Sequence, residues 1–428
     1  MDGDPLVAAV LNGDEHDVRK LLEDGADPES VDERGVSVLC LAVAAFKSPV
    51  AGELKSGGAD ALRRLDDGST PLLRAVDSGS VGLVFGLLGD VALLDGAARA
   101  ELLARAREWH ERGPVAVLRE RTGSPDPVET VRVRDAEWFT EYHEIRLGGT
   151  AVRDGHTGIL ALLEKHFGLR PGFGELAARA CALEHPDGEY ASWWEITSAL
   201  AERQDDETWE AAAALRAHPD PLYRRFGVDV MGFLGTWDQE SEDPSPFARR
   251  NLEFFLDRAA EEEHPEVLAE VLAGLGDHED PRIEPLGLSY LAHPDPRVRL
   301  VVPRTLERRA LDDRGRWAYA TPEGLDAVLV LARDPDAAVR ELVAHDLATS
   351  NDSAPAVGDA LAVLLDDERQ TTRMWAVFGL AVRDDPRCVD GAARVGPVAG
   401  RAAWSWILDA PDRYEERRRE REAADGAG

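Results

Sequence analysis

Three stretches near the start of the chain repeat one arrangement of apolar and polar positions. The first, from Asp4, is DPLVAAVLNGDEHDVRKLLEDGADPESVDERG. The second, from Ser37, is SVLCLAVAAFKSPVAGELKSGGADALRRLDDG. The third, from Thr70, is TPLLRAVDSGSVGLVFGLLGD. Pro5, Val38 and Pro71 stand 33 residues apart, as do Gly35 and Gly68 and the Gly-Ala-Asp triplets beginning at Gly25 and Gly58. A fixed period of this size marks stacked supersecondary units. In the first unit Leu6, Ala9 and Val10 form one helical face, and Val18, Leu21 and Leu22 form another. Gly13 separates the helices and Gly25 closes the second, where a positive φ is easy for glycine. Each unit reads as two short helices and a turn.

The second half repeats more loosely. HPDPLYRRFGVDVMGFL, HPEVLAEVLAGLG, HPDPRVRLVVPRTLE and DPDAAVRELVAHDLA align on Pro219, Pro265, Pro294 and Pro335, and DERQTTRMWAVFGLA aligns with Glu368 in the proline's place. The intervals are 46, 29, 41 and 33 residues. Five positions further on stand Arg224, Arg299, Arg340 and Arg373, with Glu270 as the exception. An apolar stripe at i, i+3, i+4, i+8 follows, such as Val298, Val301, Val302 and Leu306, which predicts helices. Second helices with apolar faces lie between these copies: PFARRNLEFFLDRAA, EGLDAVLVLARD and APAVGDALAVLLDD.

The tripeptide His-Pro-Asp occurs at 185, 218 and 293, with variants at 264 and 334. In J-domain co-chaperones it occurs once, between basic helices, and touches a chaperone ATPase. Here it recurs at the start of apolar periodic runs. Asp220 and Asp295 are placed to cap a helix, and the proline after each suits the first helical position. The tripeptide therefore reads as turn punctuation.

These patterns resemble two repeat families. Residues 1–92 resemble ankyrin repeats, with Thr-Pro-Leu at Thr70, the Leu-Leu pairs and the Gly-Ala-Asp triplets in that family's order. They depart from it in lacking the family's His, and in having Phe46 where an inter-helix Gly belongs. Residues 172–412 resemble HEAT repeats of the short bacterial kind, from the Asp-Pro starts, the Val-Arg pairs and the internal Pro303. Residues 172–217 look helical, fit that pattern poorly and read as a cap. Together the resemblances imply an all-α chain of two helical-repeat solenoids. Each would offer an extended binding surface. For the ankyrin-like part that surface is the turn tips, where Asp32, Arg34 and Asp67 stand, together with the inner helices.

Residues 93–171 match neither pattern. AARAELLARAREWHERGPVAVLRERTG predicts helix broken at Gly113-Pro114. VETVRVRD alternates as a strand does, and EWFTEYHEIRLGG can pair with it in a hairpin. Trp138, Phe139 and Tyr142 cluster there, either as a contact patch, since aromatics are enriched at interface hot spots, or as anchors of the hairpin. DGHTGILALLEKHFG, residues 154–168, has the form of the second half of a further unit whose first half is missing. In SWWEI only one of Trp193 and Trp194 can face the core fully; Trp193 is taken as the partner-facing candidate. Residues 413–428 are expected to be a charged, frayed tail.

Composition narrows the function. The formal net charge is -33, which counts against a nucleic-acid surface, because phosphate binding needs clustered Lys and Arg. It also counts against an anionic membrane. The scarcity of lysine reflects the codon usage of a GC-rich bacterial genome. Cys40, Cys181 and Cys388 are far apart and odd in number, so neither a disulfide framework nor a zinc site is implied, as suits the cytoplasm. The first residues lack the pattern of a signal peptide, and no run approaches the ~20 apolar residues of a membrane helix.

Searches for chemistry return little. No phosphate loop, G-x-S-x-G or H-E-x-x-H occurs. GDHEDP, from Gly276, is read as a solvated loop rather than a metal site. His143 and Glu144, adjacent on a strand, would face opposite ways. Stacked in register, Arg224, Arg299, Arg340 and Arg373 would form a row, able to bind an acidic partner or a DNA backbone, or to pair with acidic residues of neighbouring repeats. The sequence therefore predicts a monomeric, non-enzymatic scaffold that binds an unknown protein partner and needs no cofactor. A nucleic-acid-binding protein is the alternative. An enzyme with its site in residues 130–200 would need a concave pocket of convergent polar groups.

Overall fold

The structure is a computed structural model and describes residues 4–89, 94–135, 140–183, 190–236, 245–306, 317–398 and 404–425. It is mostly helical with one small antiparallel sheet. Contacts divide it into two compact units, Met1–Trp237 and Asp238–Gly428. The dividing line falls inside the segment 172–412 that the sequence treats as one array.

The first unit begins with three helix pairs: α1 (Pro5–Asn12) and α2 (Glu15–Glu23), α3 (Val38–Ala44) and α4 (Ser48–Ser56), α5 (Pro71–Ser78) and α6 (Val81–Leu88). The 33-residue register is visible atom by atom. Asp4, Ser37 and Thr70 each cap the first helix of a pair, accepting from the N–H of Leu6, Cys40 and Leu73 at 2.9, 3.3 and 3.1 Å. Such a cap satisfies an N–H that the helix itself leaves open. Leu6, Leu39 and Leu72 are 0, 2 and 0 % exposed, and Val10, Val43 and Val76 are buried at the next turn. First helices pack on first helices and second on second. No helix buries its apolar face alone.

The turn between paired helices needs a left-handed residue. Gly13 and Gly79 supply it with φ of +78° and +71°, and Phe46 takes the equivalent place at +55°. A bulky residue is strained in that region. Phe46 is held by its ring, which lies 4.7 Å from the Arg153 guanidinium.

A fourth helix pair follows, and its halves are distant in sequence. α7 (Gly96–Arg112) packs beside α5, and α9 (His156–His166) beside α6. The missing first half of the 154–168 segment is therefore α7. Between them, where the other pairs have a short turn, the chain inserts α8 (Pro114–Thr122) and three strands, β1 (Glu129–Arg134), β2 (Glu141–Leu147) and β3 (Thr150–Arg153). The helix break falls at Gly113 as expected. β1 and β2 are antiparallel, with Glu129 opposite Arg146 and Arg134 opposite Glu141, and β3 pairs along the other edge of β2. That third strand was not foreseen. It is made by Gly148 and Gly149, both at positive φ, the conformation of a two-residue hairpin turn. Trp109, Val117, Leu118, Ile145, Leu147 and Val152 form the insert's own small core. α10 (Phe173–Cys181), α11 (Ala191–Ala201), α12 (Asp206–Ala214) and α13 (Pro221–Thr236) complete the unit, with α11 packed on α9 and α13 on α11.

The second unit runs α14 (Ala248–Glu261), α15 (Pro265–Leu275), α16 (Ile283–Ser289), α17 (Pro296–Val301), α18 (Pro322–Leu331), α19 (Ala337–Thr349), α20 (Pro355–Leu364), α21 (Gln370–Val382), α22 (Arg387–Val395), α23 (Ser405–Leu408) and α24 (Ala410–Asp425). α15, α17, α19 and α21 pack in sequence as one layer, while α16, α18 and α20 line up beside them. Pro303 cannot extend α17 as an α-helix, and residues Val302–Thr305 continue as a 3₁₀ turn. The charged tail, expected to end as a frayed helix, is helical to Asp425. Tyr414 is 4 % exposed against α21 and its neighbours, and Arg417 and Arg421 reach Asp384 at 3.1 and 2.9 Å.

Gly79 tests how the insert is seated. A Cβ there would lie 1.9 Å from the Arg153 carbonyl oxygen, whereas at Gly13 it would meet only the flexible end of Lys47. Gly13→Ala should cost about 1 kcal/mol for the left-handed backbone. Gly79→Ala should cost at least about twice that, because the backbone of β3 must move. Urea unfolding of the two variants measures the difference.

Candidate functional site

The recurring arginines define the most regular polar feature of the chain. In each copy Nη1 donates to the carbonyls six and five residues earlier. Arg224 reaches His218 and Pro219 at 3.0 and 3.2 Å; Arg299 reaches His293 and Pro294 at 2.7 and 3.1 Å. Arg340 reaches Asp334 and Pro335 at 2.9 and 3.1 Å; Arg373 reaches Asp367 and Glu368 at 2.7 and 3.0 Å. The guanidinium thus closes the turn that precedes its own helix.

In the second unit the other edge of each guanidinium holds the next copy. Arg299 donates through Nε and Nη2 to the two oxygens of Asp334, both at 2.7 Å, and Arg340 donates through Nε to Asp367 at 2.6 Å. Arg373, last in the series, donates to the carbonyls of Arg394 and Val395. Each aspartate therefore receives one arginine on its side chain and the next on its carbonyl. The side chains of Asp334 and Asp367 are only 4 and 3 % exposed. Burial alone would raise the Asp334 carboxyl, but the Arg299 hydrogen bonds outweigh it and hold the carboxyl below its ordinary range. Where Arg gives way to Glu270, the residue at the receiving register of the following copy is His293 rather than Asp.

His-Pro-Asp has the same local meaning. The Nδ1 of His293 accepts from the Asp295 N–H at 3.1 Å, and the Nδ1 of His218 accepts from Asp220 at 3.2 Å. Asp334 and Asp367 use Oδ1 to accept from Asp336 and Arg369 at 2.8 and 2.9 Å. Histidine and aspartate are interchangeable acceptors at this position. Asp295 then caps α17 by accepting from Arg297 N–H at 2.9 Å. The copy at 185 lies outside the described residues.

A second polar cluster seats the insert and was not foreseen. Asp77 of α5 accepts from Trp109 Nε1 at 2.7 Å, from Arg105 at 2.7 Å and from Arg121 at 3.0 Å. Burial would raise its carboxyl; the hydrogen bonds from Arg121 and Trp109 keep it lowered. His156 stacks flat on Trp109, with ring centroids 4.3 Å apart, and its Nε2 donates to the Asp77 carbonyl at 3.3 Å. Arg153, 7 % exposed, pairs with buried Asp135 at 2.9 Å and reaches Ser80 at 3.3 Å. At the hairpin's edge His143 bridges Asp154 and the Tyr190 hydroxyl, both at 3.2 Å. His143 thus pairs with Asp154 across the sheet turn, not with its neighbour Glu144.

The remaining candidates are placed as follows. Asp32 uses Oδ1 to accept from the N–H groups of Arg34 and Val36, both at 2.9 Å, which shapes its own turn, while the Arg34 side chain is 77 % exposed. Asp67 is 57 % exposed, pairs with Arg74 at 3.0 Å, and is held at about 2 by the hydrogen bonds from Ser69. Trp138 and Phe139 lie outside the described residues. Tyr142 is 1 % exposed, with the Arg153 guanidinium 4.8 Å from its ring, so it is an anchor rather than a contact patch. Trp193 is also 1 % exposed and donates to Asp229 at 2.7 Å. It shares the core-facing stripe of α11 with Ile196 and Leu200. Trp194, 40 % exposed and edge-on to Phe233, is the outward member of that pair.

In the GDHEDP loop Asp277 accepts from Arg304 at 2.9 Å and Asp280 from Arg282 at 2.8 Å, so both carboxylates serve arginines. Among the described residues no group of three or more His, Cys, Asp and Glu gathers at one centre. A cleft of 480 Å³ opens beside this loop and one of 240 Å³ beside α9 and α11, lined by Glu164, Lys165, Arg170 and Glu202 among others. No helix of the described residues is long and apolar enough to cross a membrane.

No family model matches the chain, and no curated protein matches it. Among solved structures, the X-ray structure of YibA from E. coli matches with 13 % identity and a TM-score of 0.38, over 57 % of this chain and 98 % of that one. That likeness is too slight to carry an argument.

Two outcomes follow from these clusters. Arg340→Ala leaves the buried Asp367 carboxylate without its main partner and should destabilise the protein by about 3 kcal/mol. Arg340→Lys should recover only part, since one ammonium cannot serve the turn carbonyls and Asp367 in the same fork geometry. Urea unfolding reads both. His156 is 1 % exposed, and burial pushes its imidazole down to about 4 from 6.5. The unfolded chain takes up that proton first, so the contribution is intact above pH 6.5 and is lost as pH falls towards 4. The loss amounts to about 3 kcal/mol. His156→Gln should unfold with a shallower pH dependence than the native chain across that window.

Proposed function

We propose that this chain is a monomeric, non-enzymatic protein-interaction scaffold, built of ankyrin-like repeats at its start and HEAT-like repeats in its second half. The observation that carries the reading is the strict 33-residue recurrence of cap and core in the first three helix pairs, at Asp4, Ser37 and Thr70 and at Leu6, Leu39 and Leu72. Units that stack in register bury their faces against neighbours and leave long surfaces open. Such surfaces suit recognition of another protein. The insert would then be an elaboration of the fourth unit's inter-helix turn, pinned by Asp77 and Arg153.

The arginines count against a phosphate-binding role. Their donors are turned towards the chain's own carbonyls and carboxylates, and a counterion-releasing surface needs cations turned outward. Cys40, Cys181 and Cys388 are all unpaired, which fits a reducing compartment such as the cytoplasm.

The test is affinity purification of the tagged full-length chain from a lysate of its source, with chemical cross-linking and mass spectrometry. A protein recovered in near-stoichiometric amount and cross-linked to helical surfaces is the expected result. Recovery of nucleic acid instead, with binding that weakens steeply as salt rises, would reject the scaffold in favour of the nucleic-acid reading.

A further inference from the structure

The second unit carries an apolar pair that its own core does not use. α18 and α20 lie side by side and share one register. Pro322 and Pro355 begin them, and Asp326 and Asp359, then Val330 and Val363, follow at the same 33-residue interval. The inward faces are Ala327, Val328 and Leu331 on one helix and Ala360, Leu361 and Leu364 on the other, all buried. Val330 and Val363 point away from that core and are 58 and 52 % exposed. An aspartate and a valine four residues apart share one face of a helix. The two helices therefore present a square of two carboxylates and two exposed valines. A lone exposed valine needs no explanation; two at equivalent positions of adjacent helices, each with its aspartate one turn away, make a repeated surface.

The charge around the square favours a cation. Glu323 and Asp326 are exposed and pair with no cation among the described residues. Asp359 is 70 % exposed although Arg387 donates to it at 2.8 Å, and Asp366, 73 % exposed, receives Arg394 at 2.7 Å. Arg387 is shared with Asp385 at 2.6 Å. Arg333, two residues past the end of α18, is an exposed cation among the described residues. Among these described residues carboxylates outnumber guanidinium groups, and the whole chain carries -33.

We propose that the outer faces of α18 and α20 dock a basic amphipathic helix of a partner protein, its apolar side on Val330 and Val363 and its Lys or Arg side chains on Asp326, Glu323 and Asp359. The assignment rests on the scaffold reading and gives it a surface and a partner chemistry. Apolar contact supplies affinity and the carboxylates supply orientation and rate of encounter.

The test uses a fluorescein-labelled Leu/Lys amphipathic peptide of about 18 residues, five turns of helix, titrated with the full-length chain by fluorescence anisotropy. Val330→Ser combined with Val363→Ser should weaken binding about tenfold or more, from the loss of two half-buried valines, with circular dichroism and thermal midpoint unchanged. Glu323→Gln combined with Asp326→Asn should weaken binding and flatten its salt dependence. Leu11→Ser, which removes an apolar side chain 57 % exposed in the first unit, should leave affinity as it was. Equal affinity of the double-valine variant and the native chain would overturn the proposal, as would equal binding of a Leu/Glu peptide. Neither result touches the scaffold reading, which stands or falls on the cross-linking experiment.

Discussion

The carboxylate of Asp77 is the point on which the first unit turns. It sits on α5, the first helix of the third regular pair, and receives Trp109 and Arg105 from α7 and Arg121 from α8. Its carbonyl meets His156 at the start of α9. One residue thus joins the regular helix pairs to α7, α8 and α9, the first two through its side chain and the last through its carbonyl. Apolar burial holds helices together but is non-directional, so alone it leaves their register loose. A shielded carboxylate is less tolerant, since a helix that slides leaves its charge unpaired. The second unit applies the same constraint repeatedly, with Arg299 on Asp334 and Arg340 on Asp367.

This division of labour explains what could be read from the sequence. The 33-residue period was legible because each short helix needs a cap and an apolar face, and both are written in residue type and spacing. Ser37 in place of Asp4, or Val38 in place of Pro5, changes the letter without changing the function. The hairpin of β1 and β2 was legible from its alternation. The fourth helix pair was not, because residues 113–155 separate its halves, and nothing in the sequence of α7 says that its partner is α9. Asp77, Arg105, Arg121 and Arg153 each look like ordinary surface charges in sequence; only the fold brings them together. Trp193 and Trp194 show the finest limit. A helix turns 100° per residue, so an error of one position exchanges a core anchor for an exposed ring.

Histidine in the His-Pro-Asp turns extends the same argument. An imidazole Nδ1 and an aspartate Oδ1 both place an acceptor near the backbone N–H two residues ahead, so the turn accepts either. The choice matters to the neighbour instead. Only aspartate adds the charge that a preceding arginine can grip, and aspartate stands at Asp334 and Asp367, where Arg299 and Arg340 reach across.

Because the arginines face inward, the outer chemistry of the second unit falls to other residues. A guanidinium closing a turn with one edge and holding a carboxylate with the other has few donors left for a ligand. The carboxylates outside that ladder, such as Glu323, Asp326 and Asp390, are exposed. What they face is solvent, and beside two of them on α18 stands Val330. On the proposed reading, an acidic surface with apolar points would repel polyanions and attract cationic helices, so the arrangement that stabilises the second unit would also bias which partners approach it.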